Sequence, residues 1–315
     1  MDDLFFEASR SAYRGVSEVF DFVWPASAAL WNLRWQVAGL TSVKPDVTVE
    51  DLNHRFIVGS GIYGANLKRA CIELTWSDQQ QQFARFLLVQ VFGIFEGWLG
   101  AVLEGIGHTR LEKALQFPTH PGKGGAPEGA APALVQIKAS PSMMIQTALY
   151  PKLTQHPKNG IANLDNLLIT YRCFKECRNA LMHNGGIADN KAVVAWQNYT
   201  SLTAAALGVK EVPTCPAVVL GTPVELSLRG VVGFTAIILR LIATYDAELA
   251  CAANAEREFL ARWTHRFKSR PVLKTKDLAA RERQIIRLVH KVGFPRPTAI
   301  PVIEQYLINH RLATY

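Results

Sequence analysis

Residues 162–186 read ANLDNLLITYRCFKECRNALMHNGG, a helix written almost from end to end. Successive helical residues are about 100° apart, so Leu167, Tyr171, Phe174, Arg178 and Leu181 share one stripe, spaced four, three, four and three. Asn163 or Asp165 can cap its start. Asn184, Gly185 and Gly186 close it, because Asn and Gly tolerate the left-handed conformation that ends helices. Arg178 falls on or beside the apolar stripe, where an unpaired guanidinium is costly, so it needs a partner. Lys175, Asn179 and His183 form an adjacent polar stripe at i, i+4 and i+8. His183 stands at the helix C-terminus, whose dipole favours the protonated imidazole.

On the N-terminal side, QQQQFARFLLVQVFGIFEGWLGAVLEGIG (79–107) predicts about seven turns of helix capped at Ser77 or Asp78. It is apolar on all sides, as a helix buried among several neighbours is. Its apolar stretch, Phe83 to Leu103, holds Arg85 and Glu96, which argues against a membrane span. Before it, residues 1–78 mix helix-like runs with many aromatic side chains, and Pro and Gly interrupt them from Pro45 to Gly64. Between the two strong helices, Pro- and Gly-rich 117–132 predicts a flexible surface loop.

On the C-terminal side, KAVVAWQNY (191–199) and PAVVLGTPVELSL (216–228) are β-branched runs bracketed by turn residues, expected as a small hairpin. One long amphipathic helix is expected from Ser227 to Arg266, then two short ones, Asp277 to Lys291 and Thr298 to Arg311. The fold class is therefore all-α: an antiparallel helical bundle with a β-hairpin insertion and helical extensions at both ends. The division expected is 1–78, 79–250 and a basic region at 251–315. No repeat of fixed period is visible.

The chain has 315 residues, 49% of them apolar or aromatic, so a sizeable core can form. No secretory signal is expected at the start of MDDLFFEASR, and a cytoplasmic location is expected. Of five cysteines, Cys173 and Cys177 share a helix face, but no His or second pair beside them in sequence completes a zinc site. Reduced core thiols, with no metal and no cofactor, are the expectation. The charge is uneven: residues 262–315 hold 12 Lys and Arg against 3 Asp and Glu, a net +9, which leaves −1 for the first 261. A basic tail on a near-neutral body suggests a polyanion partner, most simply nucleic acid. There is no phosphate-binding glycine loop, paired-carboxylate metal site or serine nucleophile elbow.

The run Arg178-Asn179-Ala-Leu-Met-His183-Asn-Gly-Gly resembles the signature of the HEPN superfamily, an Arg, a polar residue and, after a short spacer, a His at a helix end. A preceding apolar helix with an acid (Glu96) and a following one ending at Asp246 match the family's pattern, so the resemblance covers about residues 79–250. Some members carry Tyr two residues after the His; Gly185 stands there, so no phenol assists.

The resemblance implies an all-helical domain whose homodimer brings two motifs to one cleft. Its activity would be metal-independent endoribonuclease, leaving 2′,3′-cyclic phosphate and 5′-hydroxyl ends, as a bacterial defence or toxin effector. His183 would transfer protons, Arg178 would bind phosphate, Asn179 would orient either, and Glu96 would orient Arg178 or simply pair with it. Lys175, Arg266, Lys274, Lys276, Arg281 and Arg283 are the RNA-binding candidates. An inhibitory or sensor protein is a further expected partner, and no membrane is. The alternative is a non-catalytic scaffold of the same kind that binds nucleic acid or a partner protein.

Overall fold

The computed structural model describes residues 4–122 and 124–315. Helix α1 runs unbroken from Glu7 to Val43, through Pro25. Within the aromatic-rich N-terminal region, the described residues 4–75 form one long helix, a short α2 (Val49–Phe56) and a π turn at Arg69–Glu73. α3 spans Trp76–Ile106. Its cap is Thr75, not Ser77 or Asp78: the Thr75 hydroxyl accepts from the Asp78 N–H at 3.1 Å, and the Asp78 carboxylate accepts from the Thr75 N–H at 2.9 Å. Asp78 is the third residue of that capping box.

The 117–132 stretch, expected as an unstructured loop, is folded where it is described; residue 123 lies outside the described residues. Strands β1 (His120–Pro121) and β2 (Pro127–Glu128) pair antiparallel, and α4 starts at Ala130 and ends at Ile137. Gly129, at φ +107°, lies so close to the Pro118 carbonyl that a Cβ there would collide with it. Short helices α5 (Met143–Ala148) and α6 (Tyr150–Leu153) lead to α7, Leu164–His183. Asn163 sits at its N-cap without a side-chain bond, and Asp165 instead accepts from the Thr119 N–H at 2.8 Å. Gly185 and Gly186 adopt φ +62° and +84° just past its end.

The hairpin expected from 191–199 and 216–228 does not form. Asn190–Thr200 is helix α8, capped by Asp189, whose carboxylate accepts from the Ala192 N–H at 2.9 Å. Ala192 and Tyr199 are its buried positions, seven apart, a helical period that overrides the strand preference of Val193 and Val194. After α9 (Ala204–Leu207), residues 208–227 form an extended strap that buries Val218, Val224 and Leu226 in the core and bridges Ile187 to Pro223. The hairpin of the fold is β1–β2.

Nor is 227–266 one helix. α10 (Leu228–Ala250) ends at Cys251, a 3-10 turn follows, and α11 (Glu256–Arg266) restarts. α12 (Leu278–Lys291), capped by Asp277, and α13 (Ile300–Asn309) complete the chain. The protein is therefore helical with one small antiparallel hairpin.

α3, α7 and α10 pack on one another, α1 lies along α3, and α8 covers α7. Phe92, Phe95, Tyr171, Phe174 and Phe234 interlock where the three inner helices meet, with Phe174 and Phe234 stacked at 4.5 Å. The same apolar cluster includes Phe5 at one end of the chain and Trp263, Phe294 and Leu307 toward the other. The buried Asp246 at the end of α10 caps α1 from outside the helix: its carboxylate accepts from the Phe5 and Phe6 N–H groups at 2.6 and 3.0 Å. By length and composition α3 and α10 are apolar enough to cross a membrane; 50% and 61% of their most apolar windows are buried inside the protein.

Candidate active site

α7 presents the motif between α3 and the 113–120 turn. Arg178 has a partner, as its place beside the apolar stripe requires: Glu96 Oε2 on α3 lies 3.4 Å from its Nη2. Its Nη1 donates to Asn179 Oδ1 at 3.1 Å, and Phe92 lies beneath the guanidinium at 5.8 Å. Its Nε is buried with no partner. Glu96 also holds Lys175, Oε1 to Nζ at 2.8 Å. Tyr171 donates to Gln116 Oε1 at 3.2 Å and lies 3.3 Å from Glu96, and Lys175 donates to the same Gln116. Burial, then the Glu96 charge, pushes the Tyr171 phenol far up, so it stays protonated and donates. Asn179 in turn donates to Glu176 at 3.2 Å, and Glu176 pairs with Arg172, whose guanidinium stacks 4.1 Å above Phe117.

These contacts form one continuous polar network; its Gln116, Arg172, Lys175, Glu176 and Asn179 line an open cleft of about 830 Å³, while Arg178, Glu96 and Tyr171 stand behind that lining. Arg172, Lys175, Glu176 and Asn179 line it from α7, Lys191 from α8, and Lys113 and His120 from the opposite turn. Four Lys or Arg against one Glu make it electropositive.

The structure brings Arg178, Asn179, Glu96 and Lys175 together. His183 does not join them within one chain: it lies one helical turn past Asn179, exposed to solvent at the end of α7, outside the cleft lining. The imidazole that does line the cleft is His120, which sequence reasoning passed over inside a stretch read as a loop. Its Nδ1 is 2.9 Å from the Pro118 carbonyl and its Nε2 is 3.9 Å from Glu128.

The basic region divides in two. Arg266, Lys274, Lys276 and Arg283 are exposed. Arg281, expected among the RNA contacts, is committed internally: its Nε lies 3.0 Å from Glu304, and its guanidinium faces the Tyr315 ring. Arg262, counted in the tail's charge, is buried against the Phe294 ring and donates to the Phe5 and Val292 carbonyls at 2.7 and 2.6 Å. Burial lowers its pKa to about 10.

All five cysteines are free thiols, four of them buried, as the sequence reading expects. Cys215, on the strap, reaches the Cys173–Cys177 pair, and the three sulfurs lie within 4.8 Å of one another. No protein-family model, curated protein or solved structure matches this chain.

Proposed function

We propose that this chain is a metal-independent endoribonuclease of the HEPN kind, working as a homodimer in a defence or toxin role. The observation that carries the reading is Arg178, held by Glu96 and Asn179 where Asn179 lines an electropositive cleft.

RNA scission without metal is a transesterification. The ribose 2′-oxygen attacks phosphorus and loses its proton to a base, while the 5′-oxygen departs and takes a proton from an acid. A guanidinium suits the equatorial oxygens, where negative charge builds in the transition state. A neutral imidazole takes the first proton and an imidazolium gives the second, and ordinary histidine titrates near neutrality. His183 stands exposed beside exposed Met182, a surface that a second copy of the chain would cover. A two-fold axis there supplies two imidazoles and two guanidiniums to one substrate.

The scaffold alternative draws on a different observation: Glu96 occupies Arg178 and Lys175 together, leaving the cleft less free charge than its composition offers. Induced expression separates the two. Growth arrest relieved by His183→Ala, at equal protein level, supports the ribonuclease. Arrest unchanged by both His183→Ala and Arg178→Ala overturns it.

A further inference from the structure

Cys173 and Cys177 lie one turn apart on the inner face of α7, both fully buried, and Cys215 approaches them half-buried from the strap. The Cys173 and Cys215 sulfurs are 3.9 Å apart. An equilateral triangle of that side has its centre about 2.3 Å from each vertex, which is the length of a zinc–thiolate bond. The widest spacing, 4.8 Å at most, closes to that size with small side-chain rotations.

The strap is fixed in place around Cys215. Tyr199 on α8 donates its hydroxyl to the Pro213 carbonyl. The Thr214 carbonyl lies against Gly230 in the first turn of α10, where any Cβ would collide with it. Gly233, one turn on, takes Pro213 at 3.2 Å from where a Cβ would stand. Two glycines and a buried tyrosine thus hold the third sulfur over the other two.

Charge narrows the ion. Three thiolates around a monovalent cation leave −2 in a buried pocket, and around a divalent one only −1, so burial favours the divalent ion. Thiolate ligands select soft or borderline metals over magnesium and calcium. No fourth His, Cys, Asp or Glu joins the cluster among the described residues, so the chain supplies three ligands.

We propose that Cys173, Cys177 and Cys215 bind one zinc(II) ion as a three-thiolate site that staples the 208–227 strap to the helix carrying Arg178. Binding replaces three S–H protons with one cation and releases those protons to solvent. The site is independent of the ribonuclease reading.

The test takes the full chain, purified reduced and stripped by chelator, and titrates it with Zn²⁺ or, as a spectroscopic probe, Co²⁺. The proposal expects one zinc per chain retained through desalting, thiolate-to-cobalt charge-transfer bands, and up to three protons released per zinc bound. Cys215→Ser should bind at least about tenfold more weakly and release fewer protons, while Cys71→Ser should bind and release protons as the wild type does. Wild-type chain that retains no zinc overturns the proposal, as does Cys215→Ser that still retains a full equivalent. A Cys173–Cys215 disulfide recovered from protein that binds no metal overturns it in favour of a redox pair. Should Cys215→Ser fail to fold, the zinc retained and the cobalt charge-transfer bands of the wild type decide alone.

Discussion

Glu96 reaches Arg178 across the α3–α7 interface, Oε2 to Nη2 at 3.4 Å, while its other oxygen holds Lys175 at 2.8 Å. One carboxylate therefore orients two cations on the same helix. Glu96→Gln keeps the shape and removes the charge, leaving Arg178 to Asn179 alone. The pair is about a quarter exposed on each side, so solvent screens it, and the expected stability loss is about 1 kcal/mol. Cleavage should fall about tenfold, against about 10²-fold or more for Arg178→Ala, which removes the proposed phosphate contact itself. Single-turnover RNA cleavage beside a thermal melt checks both. An equal and large loss of stability in both variants would reduce Glu96 to a structural ion pair.

On the ribonuclease reading, two imidazoles are candidates for proton transfer. His183 ends the motif but faces solvent, and His120 lines the cleft. With a dimer completing the site, His183→Ala should cost about 10²- to 10⁴-fold in cleavage rate, and His120→Ala much less. The reverse order would place acid and base in one chain and remove the need for a composite site.

The buried carboxyl of Asp246 titrates at about 6, above its ordinary 3.8, because burial outweighs the hydrogen bonds it accepts from Phe5, Phe6 and Ser9. Between those values the folded chain holds a proton that the unfolded chain has lost. This group's contribution to stability is thus full below pH 4 and is lost as pH rises through 6. Asp246→Asn removes that titration while keeping an acceptor for the α1 N–H groups. Relative to Asp246→Asn, the wild type should lose up to about 3 kcal/mol between pH 4 and pH 7. Parallel melts across that range check it; a constant difference contradicts the assignment.

Much of this was legible in the sequence, for reasons that differ by element. α7 was readable because its apolar stripe, its Arg and its Asn-Gly-Gly stop all agree. α8 was not, because Val193 and Val194 imitate a strand while the informative residues, Asp189 and the Ala192–Tyr199 pair, are few. Cys215 lies far along the chain from Cys173 and Cys177, and only the collision-free glycines at 230 and 233 let its strap close over them. The tail's charge was countable, but pairing is a property of the fold: Arg262 and Arg281 are spent on carbonyls and Glu304.

That division sharpens the nucleic-acid prediction. Arg266, Lys274, Lys276 and Arg283 are exposed, and their combined replacement by Ala should weaken RNA binding. The log–log salt slope should become shallower by about 0.7–0.9 for each lost phosphate contact. Arg281→Ala should leave the slope alone and lower stability instead, since it loses Glu304. Point substitutions are the right tool here, because Leu273, Ile285, Phe294 and Leu307 belong to the main core and deleting the tail would expose it. An unchanged slope in the fourfold variant would assign the grip to the cleft of Lys113, Arg172, Lys175 and Lys191.

The most direct measurement is the chemistry of the RNA ends left by the purified chain in EDTA. Attack by the 2′-oxygen leaves a 2′,3′-cyclic phosphate and a 5′-hydroxyl, and those ends should vanish with His183→Ala and with Arg178→Ala. Cleavage that strictly requires added Mg²⁺ or Mn²⁺ and leaves 5′-phosphates, or cyclic-phosphate ends that persist undiminished in both variants, would contradict the account.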